Sequence, residues 1–173
     1  QISSAQSTIK LYLKALEAFF QASALISREE FNDFTAIVQD EKVKVRAIGW
    51  LPLIRLEDKE AFESVLAAES FNNKEIKQLT SSGFIKAPQQ DFYLPIKYLA
   101  PLAGNQAAIG LDIVSHPIAG ATAKNVIETH TFSITPLLSL AQQQNKTTGV
   151  VVYYPVFAKS EPKNLHSLLG LTE

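Results

Sequence analysis

Asp91-Phe92-Tyr93-Leu94-Pro95-Ile96-Lys97-Tyr98 is the stretch on which the fold turns. Its aromatic and aliphatic residues suit an extended strand, and it opens on a carboxylate. A second apolar run with one acid inside it, Ala108-Ile109-Gly110-Leu111-Asp112-Ile113, follows closely. Between the two lie Pro101, Gly104 and Asn105, the composition of a reversing loop. The expectation is a pair of strands that forms a floor, with Asp91 standing at a ligand site on it.

Upstream, Thr80-Ser81-Ser82-Gly83 reads as the start of a polar loop that runs to Gln90, preceded by a short alternating strand over 75–79. Residues 57–69 read as a helix with acids in its first turn and Phe62, Val65 and Leu66 inward. Residues 43–53 read as a strand that becomes buried as it proceeds and ends at Pro52. Ser27-Arg28-Glu29-Glu30 is a capping box: the Ser27 hydroxyl accepts from a backbone N–H three residues on, and Glu30 reaches back. The helix it starts should turn Phe31, Phe34, Ile37 and Val38 inward. Ahead of it, residues 4–24 repeat apolar residues at helical spacing. Ile9, Leu13, Leu16 and Phe20 form one stripe, broadened by Leu11, Ala15 and Ala18.

Downstream, Ser115-His116-Pro117 marks a helix start, with Ser115 or His116 at the cap and Pro117 just inside. That helix should run to about Thr129. Residues 132–140 look extended, with Pro136 at an edge or kink, and 142–148 a hairpin loop. Gly149-Val150-Val151-Val152-Tyr153-Tyr154-Pro155-Val156-Phe157 is the most strand-like run in the chain. A short helical turn is expected at 165–169. Loops between the later strands are too short for crossovers. The order of elements therefore predicts an α+β fold with antiparallel sheets.

The chain has 173 residues, 46% of them hydrophobic, which is enough for a packed core and argues against disorder. Sixteen basic residues against 17 acidic ones leave no electrostatic case for a nucleic-acid partner. With no Cys there is no disulfide, thiolate metal site or cysteine nucleophile. The start at Gln1-Ile2-Ser3-Ser4, without Met, points to a piece of a longer protein, with any membrane helices expected outside it.

His116, His130 and His166 have no metal-ligand spacing, and there is no nucleophile elbow or phosphate-cradling glycine loop. Neither catalysis nor a cofactor nor a metal is expected. Two readings of Asp91 stand side by side. It caps its own turn after Pro88-Gln89-Gln90, or it faces a pocket and accepts hydrogen bonds from a ligand. Asp112 reads as a structural acid that satisfies backbone N–H groups at the helix start beyond it. Thr135 reads either as an ordinary strand threonine or as a wall of the same pocket.

Several stretches, taken in order, resemble the CHASE domain. They are Arg46-Ala47-Ile48-Gly49-Trp50-Leu51-Pro52, Phe62-Glu63, Asp91-Phe92-Tyr93-Leu94-Pro95-Ile96, Pro101-Leu102-Ala103-Gly104-Asn105, Gly110-Leu111-Asp112, Thr135-Pro136-Leu137 and Tyr154-Pro155-Val156-Phe157. The CHASE domain is the extracytoplasmic sensor module of plant cytokinin-receptor histidine kinases and of many bacterial sensor kinases and diguanylate cyclases. The resemblance implies a long N-terminal stalk helix followed by two PAS-like lobes. Residues 1–40 would hold the stalk and second helix and 41–140 the membrane-distal, ligand-binding lobe. Residues 141–173, with part of the N-terminal region, would hold a truncated membrane-proximal lobe.

It further implies a small-molecule sensor, itself no enzyme, on the periplasmic side of an inner-membrane receptor whose output domain is a histidine kinase or a cyclic-dinucleotide enzyme. The partners implied are a small ligand, an adenine-type ring being one candidate, a second copy of the chain along the stalk helix, and the membrane through flanking helices. The ligand-binding residues carried over are Asp91 and Tyr93 of the Asp-x-Tyr-x-Pro motif, Leu111 and Ile109 of the next strand, and Thr135. Phe92 departs from the family, which often has an acid there. The alternative is a structural or protein-interaction module with no small-molecule ligand.

Overall fold

Capping, helical periodicity and short backbone ladders give the described residues four α-helices and ten strands, and the chain divides into two compact units, residues 1–48 with 156–173, and residues 49–155. The structure is a computed structural model and describes residues 2–23, 26–38, 45–69, 74–140 and 147–157.

In the first unit, α1 (Ile2–Ala22) and α2 (Arg28–Val38) follow the expected helices. The capping box forms in both directions: the Glu30 N–H donates to Ser27 Oγ at 3.1 Å, and the Ser27 N–H donates to Glu30 Oε2 at 2.8 Å. The second of these bonds holds the Glu30 carboxyl below its ordinary range. Phe19 stacks on Phe34 with ring centroids 4.5 Å apart, and Phe20 meets Phe31 edge-on at 6.3 Å. Rings 15 and 11 positions apart meet only if the chain doubles back, so α1 and α2 form a hairpin rather than one bent helix. Leu16 and Phe31 are buried. Leu11, Ala15 and Ala18 are exposed, contrary to the broad stripe expected, and α2 meets α1 at Phe19 and Phe20. Ile37 is 83% exposed, also against expectation. At 100° per residue it lies about 120° around the helix from the Phe31 side. The inward place falls instead to Thr35, whose hydroxyl donates to the Phe31 carbonyl at 2.7 Å.

The second unit holds β1 (Ile48–Trp50, whose first residue belongs to the other unit), β2 (Ile54–Arg55), α3 (Lys59–Ala68), β3 (Lys77–Thr80), β4 (Gly83–Lys86), β5 (Phe92–Tyr93) and β6 (Tyr98–Ala100). It continues with α4 (Pro117–Thr129), β7 (Ser133–Ile134), β8 (Leu138–Leu140), β9 (Thr147–Gly149) and β10 (Val152–Tyr153). Helices are mixed with short sheets, the α+β class expected. Among the described residues the strands pair two by two: β1 with β6, β2 with β5, β3 with β4, β7 with β10 and β8 with β9.

The two runs proposed as a floor do meet. The Ile96 N–H donates to the Leu111 carbonyl, the Gly110 N–H to the Ile96 carbonyl and the Ile113 N–H to the Leu94 carbonyl. On its other side the second run bonds Lys77, through Lys77 N–H to Gly110 and Asp112 N–H to Lys77. The second run is not a continuous strand, however. It enters from a 3-10 turn at Gln106–Ala108, turns at Gly110 with φ +79°, and leaves in another 3-10 turn at Ile113–Ser115. A Cβ at residue 110 would also crowd the Glu75 carbonyl oxygen at 3.2 Å, so the positive φ and the close approach both favour glycine there. Ile54, Phe62, Leu66, Ile76, Tyr93 and Ile109 close the core around this ladder, each at most 1% exposed.

Two other expectations change. The polar loop after Thr80 is a tight hairpin: β4 pairs antiparallel with β3, with Gly83 at φ +107° closing the turn. The run from Gly149 to Phe157 is broken rather than a long strand. Leu138–Leu140 pairs with Thr147–Gly149, and Ser133–Ile134 pairs with Val152–Tyr153. Between them Thr135 bridges to Val151 by its own N–H and by its hydroxyl, both at 2.9 Å. Pro136 lacks the N–H to continue the ladder. Residues 39–44, 141–146 and 158–173 lie outside the described residues, so the start of the expected 43–53 strand and the turn at 165–169 do too.

The helix expected at Ser115-His116-Pro117 starts there. His116 is the cap, its Nδ1 accepting from the Ile118 and Ala119 N–H groups at 3.2 and 3.1 Å. Ala119, Gly120, Ala123 and Val126 form the buried stripe of α4. A Cβ at Gly120 would come within 2.5 Å of the Val114 carbonyl oxygen and 2.7 Å of that of Ile113. This helix therefore lies against the backbone of the preceding turn.

Candidate functional site

Ile54 and Tyr93 face each other in the β2–β5 ribbon, and Arg55 faces Phe92. Ile54 and Tyr93 are fully buried, so the alternation of the strands turns Arg55 and Phe92 to the other face. One step further, the Leu56 N–H donates to the Asp91 carbonyl at 3.0 Å, which holds the two chain segments side by side where β5 begins. A cleft of 520 Å³ opens at this corner. Asp91 and Phe92 line it on one side, and Leu53, Arg55, Leu56 and Glu57 on the other. Ile127, from the last turns of α4, adds an apolar contact.

Asp91 is exposed, and its carboxylate takes part in no hydrogen bond or ion pair within the described residues. The same holds for the Arg55 guanidinium and the Glu57 carboxylate. Asp91 is thus not consumed as the cap of its own turn among the described residues.

The other four residues singled out from sequence do not line the cleft. Tyr93 is fully buried; its hydroxyl donates to the Pro88 carbonyl and accepts from the Gln90 N–H, both at 3.2 Å. It braces the bend that presents Asp91. Ile109 and Leu111 pack in the core on the floor ladder. Thr135, 3% exposed, ties the break in the β7–β10 hairpin. Arg55, Glu57 and Ile127 were missed from sequence. Their signal lies in the β2–β5 register and not in any local motif.

Asp112 has the structural part expected of it, and a larger one. It is fully buried. Oδ1 accepts from the Leu94 N–H at 2.8 Å and the Val114 N–H at 3.2 Å, and Oδ2 accepts from the Gln90 side chain. Burial raises its carboxyl above the ordinary Asp value, against the pull of those three hydrogen bonds and of Lys124. Through Gln90, this acid fixes the residue next to Asp91. Behind it, Glu63 of α3 pairs with Lys59 and accepts from the Ile76 N–H at 2.9 Å, which joins α3 to the chain entering β3.

Among the described residues no group of three or more His, Cys, Asp or Glu side chains could hold a metal ion. No described helix is long and apolar enough to cross a membrane.

Compared with protein families, residues 25–172 match the CHASE domain, and the chain belongs to that family. CHASE domains are extracytoplasmic sensor domains of signalling receptors. No curated protein matches the chain.

Proposed function

We propose that this chain is the ligand-sensing domain of a membrane-bound bacterial signalling protein, on its periplasmic side, and that Asp91 is the hydrogen-bond acceptor for the ligand. What supports the reading is one contrast within a CHASE domain: the acid of the Asp-x-Tyr-x-Pro motif is unengaged beside a 520 Å³ cleft, while the nearby Asp112 is wholly used by the fold. In this reading α1 is the stalk helix, residues 41–140 form the membrane-distal PAS-like lobe, residues 141–173 with part of the N-terminal region form the membrane-proximal one, and the stripe through Ile9 and Leu13 takes part in a homodimer. The domain itself catalyses nothing; a histidine kinase or a cyclic-dinucleotide enzyme elsewhere in the protein gives the output. Ligand binding biases that output only insofar as it favours one of two conformations over the other.

The test is a thermal-shift screen of metabolites, adenine-type bases among them, on the chain and on Asp91→Ala. A ligand that stabilises the first and not the second supports the proposal. A second reading, a protein-interaction module, draws on the β3–β4 hairpin, where Leu79, Phe84 and Ile85 are each more than 40% exposed. It gains if no small molecule in the screen moves the melting temperature.

A further inference from the structure

The cleft carries both signs of charge, and none of it is paired within the described residues. Arg55 faces Phe92 across the ribbon, Asp91 is the neighbour of Phe92, and Glu57 follows two residues after Arg55. No ion pair joins the guanidinium to either carboxylate within the described residues. The remaining walls are apolar, and Leu53 is 42% exposed to whatever enters.

We propose that this cleft takes a small zwitterion with an apolar body, a molecule of the amino-acid type, with Arg55 as the residue that binds its anionic end. This rests on the sensor reading above and adds to it the class of ligand. Elimination by charge leads there. A neutral ring or a simple amine would engage the carboxylates but strip water from Arg55 without giving it a partner, and an unpaired charge is costly to desolvate. A simple carboxylate would meet Arg55 but place its charge beside Asp91 and Glu57. A zwitterion satisfies all three groups: its ammonium donates to the carboxylates, and its carboxylate accepts the planar, two-pronged guanidinium. Its side group then covers the exposed leucine and Ile127, as a mostly apolar pocket with a few converging polar groups requires.

The experiment is isothermal titration of the 173-residue chain with L-phenylalanine and L-leucine. Phenethylamine and 3-phenylpropionate serve as probes lacking one charge each, and adenine as a neutral ring. The expected result is that a zwitterion binds, that each single-charge probe is weaker by about tenfold or more, and that Arg55→Gln weakens the zwitterion by about tenfold or more without shifting the melting temperature of the free chain. Equal binding of the zwitterion and the amine, or binding untouched by Arg55→Gln, overturns the inference and leaves the sensor reading standing. Failure of both amino acids overturns it as well. The wider metabolite screen then separates the two: an Asp91-dependent ligand of another class keeps the sensor reading, and no ligand at all removes both.

Discussion

Asp91 and Asp112 sit on the two runs that build the floor, and they have opposite fates. Asp112 is buried with every bond made inward, to the N–H groups of Leu94 and Val114 and to Gln90. Asp91 is exposed at the head of β5, and among the described residues only its backbone carbonyl is used, by Leu56. The difference shows how one residue type divides between scaffold and site. A carboxylate that satisfies buried backbone groups is unavailable to a ligand, and one left in a cleft contributes little to stability.

The comparison breaks most visibly at Asp112. Asp112→Ala leaves two backbone N–H groups and the Gln90 amide without their acceptor, each orphaned group costing about 1–3 kcal/mol, so a loss of at least about 3 kcal/mol is expected in urea unfolding. Asp112→Asn keeps an acceptor for the backbone and should cost far less. The pair also separates by pH. Because the folded chain raises the Asp112 carboxyl above its unfolded value, it binds the proton more tightly than the unfolded chain does. Its contribution is therefore fully present below the ordinary Asp value and is lost as pH rises through the raised one. Relative to Asp112→Asn, the original chain should lose stability over that window; a flat difference would show that the carboxyl is not shifted.

His116 offers an intermediate effect. His116→Ala removes the acceptor for two N–H groups at the start of α4, worth about 1 kcal/mol, and His116→Asp should restore most of it. Both are read from urea midpoints. The smallest change sharpens the contrast with Asp112: Asp91→Asn should alter stability by less than about 0.5 kcal/mol. A larger loss would mean that Asp91 belongs to the scaffold after all.

What could be read from the sequence follows the range of the interactions. The Ser27–Glu30 capping box and the His116–Pro117 helix start are made within four residues, so the residue types alone announce them. The three-four spacing of Phe62, Val65 and Leu66 placed their helix face for the same reason. Ile37 was misplaced because an apolar residue near a stripe need not lie on it. The β part was less legible. β4 carries only Phe84 and Ile85 as strand-formers between Ser81-Ser82-Gly83 and Pro88, and the run 149–157 is divided where Thr135 and Pro136 interrupt its partner. Tyr93, Ile109 and Leu111 were named as ligand-binding through the family resemblance, and all three are packed in the core. Arg55 and Glu57 become neighbours of Asp91 only through pairing across a gap of more than thirty residues, which no local pattern encodes.

Gly120 has a bearing on how such a cleft could diversify. Because α4 rests on the carbonyls of Ile113 and Val114 at that position, its spacing from the floor is set by the absence of a side chain. Ile127 rides on the same helix, two turns further on. A side chain at residue 120 would push α4 off that turn, and Ile127 with it, while the lining residues carry no such constraint. A lineage could exchange Ile127, Leu53 or Phe92 for larger or smaller groups and fit new ligands, with the seat of the helix left in place.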